Sequence, residues 1–276
     1  MKILNNNIFK AILGTSISIG CFIIFFNKIE DLNLLKDTIF SVNLFVVFIG
    51  FIVYFFSLYF RTLRWSLIFE NNIKIKFSSL TRIVISGYMF NNIFPARLGE
   101  LARIYHFNLV KKIDKSYLFG TILVERITDV FALFVFIVLG IFFIPSDLLI
   151  NLSKELGTSL NLIYFFLYSL GFSMILFIFL QLEKVRNIFL KFIPKFSFFN
   201  KKIDSIINSF FKGVFTLEKN KLFNILTLAI TIWIIEFSMF YIVETQLNLN
   251  LNNTFLAILF FGVFANLSGI IPSTSG

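Results

Sequence analysis

A single cysteine and a single histidine in 276 residues remove several kinds of chemistry at the outset. A disulfide within the chain needs two thiols, and Cys21 stands alone in an apolar segment, which also excludes a thiolate metal centre. His106 has no second histidine to share a metal with. Charged residues make up only 14% of the chain, so a separate soluble domain has no room. No metal-binding cluster or activated nucleophile is visible, and no cofactor, metal or catalytic residue is called for.

What is abundant is apolar. Hydrophobic residues reach 58% and the mean hydropathy is +0.88, values of an integral membrane protein. The 42 phenylalanines are a bias of the whole chain and carry no functional reading. A hydrocarbon core of roughly 30 Å needs about 20 apolar residues per helical crossing. By that measure spans are expected at Ala11–Phe26 (uncleaved, since no small-residue cleavage pattern follows), Ile39–Phe60, Tyr117–Pro145, Leu162–Leu180, Leu222–Val243 and Thr254–Ile271. Asn27–Asp37, Glu70–Thr81 and Ser146–Asn161 read as loops. The expected fold is all-α, a polytopic membrane helix bundle of about six spans forming one domain over 1–276.

One stretch fits no simple span. Gly87–Arg103 reads GYMFNNIFPARLGELAR, with Asn91 and Asn92 followed closely by Pro95, Arg97, Gly99, Glu100 and Arg103. It is too short and polar to cross, and Pro95 and Gly99 favour a broken helix. Such backbone persists at membrane depth only against protein or a watery cavity, so a re-entrant broken helix is expected near 83–103.

Other charges sit within apolar sequence. Glu125 and Asp129 are four apart and share a helix face, with Arg126 beside them. Either an internal salt bridge fixes packing here, or a polar site faces the broken segment. Arg61 and Arg64 also share a face, next to Trp65. They read as a snorkelling anchor with an aromatic belt residue, or as a clasp for lipid phosphate. Glu236 lies within a span, as a neutral acid bonded to a neighbouring helix or as a proton or headgroup group. The 183–221 stretch is a basic, amphipathic cytoplasmic connection, in which Ile203, Ile206, Ile207, Phe210, Phe211, Val214 and Phe215 form a stripe suited to an anionic membrane surface. That apolar stripe argues against nucleic acid as a partner.

The succession Arg61-x-x-Arg64-Trp65, Gly87, Asn92, Pro95-x-Arg97-x-Gly99-Glu100-x-x-Arg103 and Glu125-Arg126-x-x-Asp129 resembles the lysylphosphatidylglycerol synthase transmembrane family. Those flippase-like proteins include the flippase half of the multiple peptide resistance factor. The resemblance implies handling of a polar lipid, either an anionic phospholipid that is aminoacylated or a polyprenyl-phosphate lipid. A separately encoded glycosyltransferase or aminoacyl-lipid synthase is the implied partner. The ending Pro272-Ser273-Thr274-Ser275-Gly276 resembles the family's Pro-Ser-rich turn, beyond which members carry further helices; a C-terminally truncated chain is therefore expected.

Basic residues fall mainly on one set of loops, with only Lys28, Lys36 and Lys154 on the other, which places the N-terminus in the cytoplasm and the chain in the cytoplasmic membrane. Basic flanks at both ends of the broken segment agree with a dip. The leading expectation is translocation of a lipid between leaflets. Its headgroup would meet Arg61, Arg64, Asn91, Asn92, Arg97, Glu100, Arg103, Glu125, Arg126 and Asp129, with Glu236 and Ser273 as secondary candidates. The alternatives are an enzyme or accessory subunit of lipid-linked glycosyl or aminoacyl transfer, with Glu100 or Glu125 as base, and a solute transporter.

Overall fold

The computed structural model describes residues 32–93, 98–143, 201–215, 217, 219–247 and 253–268, with a few isolated positions besides. Every element among them is an α-helix: α1 (Leu32–Ser41), α2 (Leu44–Ile68), α3 (Phe77–Ile93), α4 (Gly99–Lys111), α5 (Lys115–Phe143), α6 (Lys201–Val214), α7 (Lys219–Leu247) and α8 (Thr254–Ser268). The all-α expectation therefore holds. Two helices, Leu44–Ile68 and Asn220–Leu247, are long and apolar enough to cross a membrane by length and composition. The spans expected at 11–26 and 162–180 lie outside the described residues.

Local chemistry explains where the helices start and stop, and it corrects two boundaries. Asn43 adopts an extended conformation and its side chain accepts a hydrogen bond from the Phe45 amide at 2.9 Å. That N-cap splits the expected 39–60 span, so Leu32–Ser41 becomes a short helix where a loop was expected. At its other end α2 continues to Ile68, which carries Arg61, Arg64 and Trp65 into the bundle. α4 ends at Lys112, the one described non-glycine residue in the left-handed region (φ 55°), whose amide bonds the Asn108 carbonyl at 2.7 Å.

Two apolar cores hold the helices together. The first gathers Trp65, Ile68, Leu80, Ile83, Phe107 and Leu118 from α2, α3, α4 and α5. The second joins α5, α7 and α8 through Ala132, Leu133, Ala229, Trp233 and Leu259. Along α5 the first core ends at Val124 and the second begins at Ala132, so Glu125, Arg126 and Asp129 occupy the layer between them. The outward faces stay apolar: Phe51, Phe55, Phe223 and Phe261 are all exposed. Lipid solvates such a surface, and water does not.

α3 and α4 form an antiparallel hairpin. Gly87 lies beside Gly99 and Arg103, Asn91 beside Gly99, and Ser86 beside His106. Any Cβ on Gly99 would collide with the Gly87 carbonyl, and any Cβ on Gly87 with the Arg103 stem. Both glycines are thus required by close approach. α6 packs antiparallel on α5 in the same way, through Gly213 against the Tyr117 carbonyl and Gly120 against the Phe210 carbonyl. This corrects the surface-helix expectation in part. Val214 and Phe215 are buried against protein, while Ile203 and Ile206 remain exposed.

Candidate functional site

Eight charged side chains from four helices, α2, α4, α5 and α7, meet in and beside the layer between the cores. Arg64 is fully buried; its Nη1 donates to Asp129 Oδ1 at 2.6 Å and its Nη2 lies 3.5 Å from Glu125 Oε1. Arg103 forks onto Glu125, with Nη2 to Oε2 at 2.8 Å and Nη1 to Oε1 at 3.3 Å. Arg126 Nη2 reaches Glu125 Oε1 at 2.9 Å and Asp129 Oδ2 at 3.4 Å. Its Nε faces Glu100 Oε1 at 3.4 Å. Glu125 is therefore paired across helices with both Arg64 and Arg103. The cluster combines internal pairing, through Glu125 and Asp129, with a partly exposed Arg126–Glu100 edge facing the α3–α4 hairpin.

Supporting groups fix the guanidinium planes. Arg103 stacks over the Trp65 ring at 4.1 Å, a cation–π contact, and the indole Nε1 donates to Thr121 Oγ1 at 3.3 Å. Trp65 is fully buried and Arg61 nearly so, which overturns the snorkelling anchor with a belt tryptophan. The reason is that α2 runs on past Phe60, and carboxylates on α5 and α7 meet its arginines.

Arg61 makes a second, adjoining group. Its Nη2 contacts Glu236 Oε1 at 3.0 Å, its Nη1 donates to the Tyr88 hydroxyl at 2.8 Å, and its Nε to Ser57 Oγ at 3.2 Å. Ser57 Oγ also donates to Glu236 Oε1 at 2.5 Å. Glu236 is thus bonded across α2 and α7, as an ion-pair partner of Arg61; the sequence reading left open a neutral acid bonded to a neighbouring helix or a proton or headgroup group. Ser57 and Tyr88 were missed altogether. Ser57, one turn before Arg61 in an otherwise apolar run, was the available signal.

The remaining candidates divide. Asn91 Oδ1 accepts from the Gly99 amide at 2.7 Å and so caps α4 from the facing helix, a backbone partner at the α4 terminus, where Leu98 supplies no side-chain cap. Glu100 sits in the first turn of α4, where a negative charge is favoured by the helix dipole. Arg97, Ser273 and the Asn92 side chain lie outside the described residues. Exposure separates the cluster into two parts. The Arg126 and Glu100 side chains are 34% and 30% exposed, against at most 8% for Arg64, Arg103, Glu125 and Asp129. Arg64 Nε and Arg103 Nε, both buried, have no hydrogen-bond acceptor among the described residues.

Ionisable groups within a membrane helix bundle usually face its interior and pair with one another, as they do here. The model of the family described as Lysylphosphatidylglycerol synthase TM region matches residues 11–276. The chain belongs to that family. It is also similar to a UPF0104 membrane protein of Methanocaldococcus jannaschii, 31% identical over 182 residues, covering 64% of this chain and 67% of that one. No solved structure matches. Membership in the lysylphosphatidylglycerol synthase TM region family makes this an integral membrane protein connected with lipids.

Proposed function

We propose that this protein translocates a polar lipid between leaflets by passing its headgroup through the charged layer. The observation that carries the reading is the graded exposure of the cluster. A half-exposed Arg126–Glu100 pair stands in front of buried Arg64, Arg103, Glu125 and Asp129, at the seam of the α3–α4 hairpin with α5. A lipid phosphate meets Arg126 first and takes over its guanidinium fork. Glu100, released from Arg126, is available to a cationic or hydroxyl group on the same head. The unused Nε donors of Arg64 and Arg103 are hydrogen-bonding capacity deeper along the same layer. Arg97 joins them in this reading, although it lies outside the described residues.

The hairpin geometry supports a dip. At 1.5 Å per residue, α3 is about 25 Å long and α4 about 20 Å, both short of a core roughly 30 Å thick. With six spans in one domain and the basic loops facing inward, the hairpin enters from the cytoplasmic side of the cytoplasmic membrane and returns to it. The substrate class is an anionic phospholipid or a polyprenyl-phosphate lipid, which a separately encoded synthase or glycosyltransferase would modify.

The test is movement of a fluorescent phospholipid across vesicles reconstituted with the purified full-length protein, with the lipid analysed afterwards by mass spectrometry. Transfer of chemically unaltered lipid is the expected result. A covalently altered lipid made by the protein alone, or no transfer above protein-free vesicles, contradicts the proposal.

A further inference from the structure

Between the N-terminal half of α2 and the C-terminal half of α7 runs a groove of about 400 Å³. Val46, Gly50 and Phe51 form one wall; Met239, Ile242 and Val243 form the other. Gly50 leaves the α2 backbone bare, since a Cβ there would meet no atom within 4 Å. From Val46 to Tyr54, and from Met239 to Leu247, each wall is about 12 Å long at helical rise.

The groove changes character at one end. Tyr54 lies three residues before Ser57, and Met239 three after Glu236, so the next groups along these faces are Ser57, Arg61 and Glu236. There the two helices are tied by the Arg61–Glu236 pair at 3.0 Å. The Glu236 side chain stays 21% exposed, so this polar end can be reached. An apolar trough that ends in a guanidinium and a carboxylate has the profile of an amphiphile. A soluble solute has no use for the trough.

We infer that a membrane lipid enters sideways between α2 and α7, with one hydrocarbon chain in this groove and its phosphate-bearing head against Arg61 and Glu236. The inference rests on the lipid-handling reading and adds to it where the tail lies and which helices admit it. The head then points toward the basic, C-terminal end of α2, as in a lipid of the cytoplasmic leaflet. Arg61 meets the phosphate with the guanidinium whose Nη2 now contacts Glu236 and whose Nη1 and Nε are held by Tyr88 and Ser57.

The experiment uses the purified full-length protein in phosphatidylcholine vesicles containing phosphatidylglycerol with a diazirine near the end of one acyl chain. After photolysis, peptide mass spectrometry should find Val46, Gly50, Met239 and Val243 labelled about tenfold more than the lipid-facing controls Phe45 and Phe261. Unlabelled phosphatidylglycerol should compete that excess away. Gly50→Phe, or Val46→Phe as a second filler, should abolish it while the unfolding midpoint holds. Labelling no higher than at the controls overturns the site. So does cross-linking of the Gly50→Cys variant, in a Cys21→Ala background, to another segment of this chain or to a second copy. A labelled groove in a protein that moves no lipid refutes translocation and leaves the site standing. Lipid movement with an unlabelled groove refutes the site alone.

Discussion

Glu125 holds three guanidinium groups at once, from Arg64, Arg103 and Arg126. Removing one member of a buried ion pair typically costs about 3–5 kcal/mol, because the partner charge is left uncompensated. Glu125→Gln leaves Arg103 without a carboxylate and leaves Arg64 and Arg126 to share Asp129, so it should lower the unfolding midpoint of the purified protein well below that of Glu100→Gln, whose pair is partly exposed. Equal midpoints would mean that the cluster is solvated. Arg61 and Glu236 offer a cleaner case. Each single change to Met should destabilise, and the double change to Met should recover much of the loss, which a double-mutant cycle reads directly. The shared face of Glu125 and Asp129 was legible from a spacing of four. The burial of Arg61 and Arg64 was not, because two arginines and a tryptophan ending an apolar run look the same at a membrane interface as beneath an acidic neighbour. Only the partners on α5 and α7 decide it, and they lie 65 and 175 residues away in sequence.

The α3–α4 hairpin depends on two glycines that approach one another closely. Gly99→Ala pushes a methyl group into the Gly87 carbonyl and should cost about 1–3 kcal/mol, the usual range for overpacking. Gly50→Ala is the opposite case. With nothing within 4 Å, it should be neutral or stabilise α2 by up to about 1 kcal/mol through helix propensity. Thermal unfolding of both variants checks the sign difference. That α3 ends at Ile93 and α4 starts at Gly99 was legible, because a proline and a glycine close together in sequence disfavour one continuous helix. α6 was legible as an amphipathic helix from its 3.6-residue stripe. Its docking on α5 was not, because an apolar stripe reads the same whether lipid or protein covers it. Gly213 and Gly120, which make the contact, lie too far apart in sequence to announce each other.

For the molecule as a whole, the charged layer between two apolar cores links topology to function. If the hairpin dips from the cytoplasmic side, a cysteine at Leu98 in a Cys21→Ala background should react with a membrane-impermeant thiol reagent only in inside-out vesicles. Reaction in intact cells would place the hairpin tip outside. If the arginines bind a headgroup and do no chemistry, Arg126 is the one to change, being the most accessible described arginine of the cluster. The direct measurement is the rate of phospholipid transfer across reconstituted vesicles for Arg126→Lys, Arg126→Ala and Glu100→Gln, each confirmed as folded by its unfolding midpoint. Arg126→Lys should keep part of the rate, because a positive charge remains while the bidentate fork is lost. Arg126→Ala should lose nearly all of it, and Glu100→Gln should be the mildest of the three. A loss of about 10²-fold or more for Glu100→Gln, with Arg126→Ala little affected, is the pattern of a general base and would contradict headgroup binding without chemistry.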